Sequence, residues 1–76
     1  MKFKSSDFPF MAYCIARGAT ILDVDGGNPK RKVFELESDI EYEELKKEYF
    51  NNSNIPVKDF LNAQKTLKNF IFDFSK

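Results

Sequence analysis

The order of local signals along this chain predicts one small α+β domain over residues 1–76: a helix, an antiparallel β-hairpin and two further helices (α-β-β-α-α). Three observations carry that prediction. Apolar residues recur at helical spacing in three places, two β-rich runs flank the turn-forming Gly26-Gly27-Asn28-Pro29, and 76 residues leave no room for a second domain.

Ser5 and Ser6 precede the first apolar-periodic run, so one of them is expected to cap a helix that starts near Asp7, whose charge suits the first turn. Pro9 is tolerated there because first-turn N–H groups have no intrahelical partner, and Gly18 supplies the left-handed residue that stops the helix. Phe8, Met11, Ala12 and Ile15 fall on one face, with Met11 and Cys14 read as core. Thr20 to Asp25 and Arg31 to Glu37 then form the hairpin, with the turn at Gly26 to Pro29. Strict alternation places Leu22 with Val24, and Phe34 with Leu36, on faces that pack against the helices. Lys2 to Lys4 can add a short third strand, since an isolated hairpin is marginal in water.

Ser38-Asp39-Ile40-Glu41 reads as a capping box that opens the second helix, which runs to Phe50 with Tyr42, Leu45 and Tyr49 inward. Asn51-Asn52-Ser53-Asn54 breaks the pattern, and Pro56 suits the first turn of a third helix. Val57, Phe60, Leu61, Leu67, Phe70, Ile71 and Phe74 recur at helical spacing, which predicts a long helix as the spine of the core.

A chain this short buries only about 60 to 65% of the surface its unfolded form exposes, and its core leaves about 3 to 5 kcal/mol after conformational entropy. Nine phenylalanines, three tyrosines and no tryptophan supply that core, so few large apolar residues are spare for a deep pocket. Twelve basic and twelve acidic residues cancel, which removes any global pull toward nucleic acid or acidic lipid. The balance is local: residues 39–50 hold five acids against two bases, and residues 51–76 hold four bases against two acids.

A single cysteine cannot form an internal disulfide, and this points to a reducing, cytoplasmic location. Lys2 and Lys4 before the apolar stretch Phe8 to Ala16 imitate a secretory signal, but Asp7 and Pro9 interrupt it and the stretch is too short to span a bilayer. No membrane association is expected, and Asn51-Asn52-Ser53 as a glycosylation acceptor means nothing without secretion.

The absence of histidine removes the side chain best suited to proton transfer near neutral pH and the commonest transition-metal ligand. Cys14 alone builds neither a zinc site nor an activated nucleophile, so no catalytic residue, metal ligand or cofactor is assigned and the chain is read as a non-enzyme. Asp23-Val24-Asp25-Gly26 imitates a calcium loop and fails its test: Asn28 holds the sixth position, where glycine belongs, and Phe34 the twelfth, where glutamate belongs. Gly26-Gly27 is no phosphate loop, because no helix follows it.

Several motifs together resemble one known family. They are Ser5-Ser6-Asp7-Phe8, Ala12-Tyr13 with Ala16-x-Gly18, Leu22-x-Val24-Asp25, Arg31-x-Val33-Phe34, Glu44-Leu45 with Tyr49, and Phe60-x-x-Ala63-x-x-x-Leu67-Lys68. The set is similar to a family of very small bacterial and phage proteins described only as a domain of unknown function. That resemblance covers nearly the whole chain and implies the fold above in a phage or mobile-element context; Ile55 departs from it, standing where the family tends to carry a polar residue.

Two binding surfaces are legible. The first is a protein-partner face, either on the second helix through Glu43, Glu44, Lys47 and Glu48, or at the hairpin edge. The alternative is a nucleic-acid contact through Arg17, Lys30, Arg31 and Lys32, weakened by the lack of interleaved aromatic residues. Pairing into a homodimer is a third outcome, because the aromatic excess can leave a patch that buries only between copies.

Overall fold

The computed structural model describes residues 1–28, 31–51 and 54–74, with the side chains of residues 26–28, 31 and 72–74 outside the description. The chain runs β1 (Lys2–Ser5), α1 (Phe8–Ala16), β2 (Thr20–Asn28), β3 (Arg31–Glu37), α2 (Tyr42–Phe50) and α3 (Val57–Phe74). This order keeps the predicted α+β class and makes the N-terminal strand a regular element. The sheet is antiparallel in the order β1-β3-β2, so β3 is central. Phe34 and Leu36 of β3 are buried toward the helices, while Glu35 and Glu37 alternate onto the open face, where Lys4 and Lys2 of β1 stand opposite them.

The expectation that Leu22 packs inward is corrected. Ile21 pairs with Leu36 and Val24 with Phe34, and the register shifts between Ile21 and Asp23. That bulge absorbs one residue, so Ile21 takes the inward place beside Val24 and Leu22 is 39% exposed. The hairpin turn is corrected too: β2 continues through Gly26 and Gly27 to Asn28, which pairs with Arg31 after a second register shift. Pro29 and Lys30 lie outside the described residues.

Neither Ser5 nor Ser6 caps α1. Asp7 does, in extended backbone, with its carboxylate accepting from the Phe10 N–H at 3.3 Å, while the Ser5 hydroxyl accepts from the Asp7 N–H at 3.1 Å. The other end closes as a Schellman motif. The Gly18 N–H donates to the Ile15 carbonyl at 2.9 Å and the Ala19 N–H to the Cys14 carbonyl at 3.0 Å, with Gly18 at φ 103°. A Cβ at Gly18 would meet nothing within 4 Å, so only the backbone resists a side chain. Gly18→Ala is therefore expected to cost about 1–2 kcal/mol, seen as a lower midpoint in thermal unfolding; an unchanged midpoint would show that the positive φ is not required.

The predicted face of α1 was too narrow. Phe10, Met11, Ala12, Tyr13 and Cys14 are all buried and Phe8 and Ile15 are half-buried, so α1 is apolar nearly all round and α1, not α3, is the centre of the core.

The capping box does not form. The Ser38 N–H donates to the Met1 carbonyl at 2.9 Å and its hydroxyl accepts from the Ile40 N–H at 3.0 Å, so neither group is left for Glu41. The helix starts instead at Tyr42, with Glu41 in the cap position and no side chain closing it. Leu45 is fully buried, and the rings of Tyr42 and Tyr49 sit edge-on to Phe10 at 5.7 and 5.3 Å between centroids.

Pro56 stands just before α3, its carbonyl accepting from the Phe60 N–H at 3.2 Å, where a missing N–H costs nothing. Ile55 packs against the core, so the position at which the chain departs from its resemblance anchors the entrance to α3. The buried side of α3 is Phe60, Ala63, Leu67, Phe70 and Ile71. Val57 and Leu61, expected in the core, face outward instead, and the side chain of Phe74 lies outside the description.

Candidate functional site

Three surface regions bear on function, and the helices decide what each exposes. Where the C-terminus of α1 meets α2, Glu48 is held from two sides. Arg17 donates through Nε to Oε1 at 2.8 Å and through a terminal guanidinium nitrogen to Oε2 at 3.1 Å, and the Tyr13 hydroxyl donates to Oε1 at 2.8 Å. The arrangement ties the last turn of α1 to α2 and takes Glu48 out of the outward face to which it was assigned.

The Arg17 guanidinium, and after it the Tyr13 hydroxyl, hold the Glu48 carboxyl below the usual glutamate range. A carboxylate depressed in the folded state contributes stability above its unfolded titration, and that contribution is lost as pH falls through the folded value. Glu48→Gln is accordingly expected to lower the melting temperature slightly at pH 7 and to reduce the further drop on acidification below the ordinary glutamate value of 4.5. An exposed pair of this kind is worth up to about 1 kcal/mol. Parallel melting curves for variant and parent from neutral to acidic pH would remove Glu48 from the account of acid stability.

The second region is the open sheet face, where Lys4, Asp23, Asp25, Val33 and Glu35 line a shallow dent. The Asp23 carboxylate accepts from the Val24 N–H at 2.8 Å, so it completes the edge of β2 rather than facing a ligand. No group of three or more histidine, cysteine or acidic side chains among the described residues could hold a metal ion. Cys14 is fully buried, and that burial pushes its thiol up to about 12.

The proposed nucleic-acid contacts are not gathered at one place. Arg17 is engaged by Glu48 and lies near Thr20, which pairs with Glu37, whereas Arg31 pairs with Asn28 at the other end of β2. Eight residues of strand at about 3.3 Å each put roughly 25 Å between those ends. Lys32 is half-buried, Lys30 lies outside the described residues, and of Arg31 only the backbone is described.

The third region is the outer side of α2 and the flank of α3. Glu43, Glu44 and Lys47 are exposed as expected, and Lys46 folds over the Tyr42 ring at 5.1 Å from its centroid. Beyond them Phe50 is 71% exposed, Val57 72% and Leu61 55%. These three are what sequence reasoning missed. The available signal was Ala63: with so small a residue marking the close approach of α3, Leu61 and Val57 fall roughly a third of a turn off the buried line, in register with Lys65 and Lys68.

No helix among the described residues is long and apolar enough to cross a membrane. Residues 1–73 match the family described as a domain of unknown function, DUF5659. No curated protein and no solved structure matches the chain.

Proposed function

The chain belongs to the DUF5659 family, a domain of unknown function, and on that footing we propose that it is a non-enzymatic protein-interaction module docking through the outer side of α2 and the start of α3. One observation carries this: Phe50, Val57 and Leu61 stand in water although a core this small needs nearly every large apolar side chain. Glu43, Glu44 and Lys47 give the same surface a charged border.

The hairpin edge is the weaker candidate. Two register shifts distort β2, Asp23 and Asp25 line it, and the Asp23 carboxylate occupies the Val24 N–H, all of which discourage an added strand. We also read the chain as phage- or mobile-element-encoded and cytoplasmic, a context supported by the family resemblance and by the free thiol of Cys14.

The test is a capture experiment run with and without nuclease, with the parent chain and with Phe50→Ser/Leu61→Ser as baits, both checked for folding by circular dichroism. A protein enriched by the parent and lost by the variant supports docking here. Identical recoveries from both baits would overturn it. Recovery that depends on nucleic acid and falls on neutralising Lys32 would favour the alternative built on Arg17, Lys30, Arg31 and Lys32.

A further inference from the structure

We infer that the occupant of this surface is a second copy of the chain, with α2 of each copy laid antiparallel on α3 of the other; this rests on the docking surface proposed above and names its partner. Val57, Leu61, Lys65 and Lys68 are spaced i, i+4, i+8 and i+11 on α3 and all are exposed, so one flank presents an apolar half followed by a cationic half. On α2, Glu43 and Phe50 are both exposed and seven residues apart, which puts them within about 20° of one line.

The two stripes share a spacing. Glu43 to Phe50 and Leu61 to Lys68 are each seven residues, roughly 10 Å of helix at 1.5 Å per residue. Laid antiparallel, Phe50 of one copy covers Leu61 of the other while Glu43 reaches Lys68. Laid parallel, the acid would face leucine and the phenylalanine would face lysine. Charge therefore selects one direction, and like would meet like both in polarity and in apolar character only in that direction.

The chain as a whole is neutral, with the acidic excess in residues 39–50 and the basic excess in residues 51–76. A second copy thus brings an acid, Glu43, to Lys68 and an apolar side chain, Phe50, to Leu61, while Lys47 falls opposite Gln64. α2 ends at Phe50 and α3 begins at Val57, and the pairing is isologous: a two-fold axis that lays α2 of one copy on α3 of the other generates the second, identical contact. The domain exposes 5319 Å², and a standard interface takes about 800 Å² per partner. Two short stripes fall below that size, so the dimer is expected to form and dissociate with concentration.

Sedimentation equilibrium of the full chain tests this from roughly 10 µM to 1 mM, the range in which a small interface associates. The weight-average mass is expected to rise from 8.9 kDa toward twice that value. Glu43→Lys and Lys68→Glu should each weaken association roughly tenfold. Mixed together they should pair again, because both α2–α3 contacts then join opposite charges. Glu43 and Lys68 are both exposed, so this swap reads out association even where Phe50→Ser/Leu61→Ser disturbs folding. A parent that stays monomeric throughout, or reversal variants that associate like the parent, would overturn the pairing. If the parent stays monomeric yet the capture experiment yields a protein lost with Phe50→Ser/Leu61→Ser, the docking surface stands and its occupant is not a second copy. If both experiments are empty, both fall.

Discussion

Phe10→Ala is expected to leave the domain largely unfolded at room temperature. Phe10 is 2% exposed and its ring meets Tyr42 and Tyr49 edge-on at 5.7 and 5.3 Å, while Tyr13 meets Tyr49 at 5.5 Å and Phe3 meets Tyr42 at 5.1 Å. Its ring thus lies at the meeting point of α1 and α2. Truncating a buried phenylalanine costs about 3–5 kcal/mol in lost transfer energy and cavity, which is as large as the whole stability expected of so small a core. Far-UV circular dichroism with a urea titration measures this directly. A cooperative transition within about 1 kcal/mol of the parent would mean that the aromatic cluster is not what joins the two helices. Phe10→Leu, which keeps most of the volume but none of the ring contacts, should fall between the two.

The second large effect concerns Cys14. Labelling of its thiol by a disulfide reagent at pH 8 is expected to be at least about a thousandfold slower in the folded chain than in urea. Burial slows both routes, reaction through an opening and reaction in the closed state. The side chain is fully buried, so reagent must wait for an opening, and burial pushes the thiol from 9.0 up to about 12, which makes thiolate scarce. A thiol whose folded value is raised contributes stability that is complete below its unfolded value and is lost as pH rises through the folded one. Alkaline conditions above pH 9 should therefore destabilise the parent more than Cys14→Ala. Rapid labelling of the folded parent would show that α1 opens locally and is not the centre of the core.

Signals that act over a few residues were legible in the sequence. The stop of α1 ahead of Gly18, the end of α2 at Phe50 and the pairing of Thr20 to Asp25 with Arg31 to Glu37 all follow from glycine, asparagine and β-branched residues close in sequence. Failures came where a distant residue took a group that local reasoning had assigned. Ser38 could not complete a capping box because Met1, 37 positions away, holds its backbone. Glu48 left the outward face because Arg17, 31 positions away, holds its carboxylate. Leu22 turned outward because periodicity cannot announce a bulge. Spacing showed that Val57 and Leu61 share a flank of α3 but not which flank meets the core, and the exposed part of the candidate site lay in that gap.

Both outer strands of the sheet depend on β3, but they reach it on very different terms. Thr20 to Asn28 meets Arg31 to Glu37 with only two residues between the strands, whereas Lys2 to Ser5 must close a loop of about thirty residues. During synthesis the first strand emerges early and has no partner until Glu37 has left the ribosome, by which time α1 and the hairpin can already be in contact. β1 is thus the late-docking strand of the sheet, and substitutions in it should accelerate unfolding while leaving the folding rate nearly unchanged.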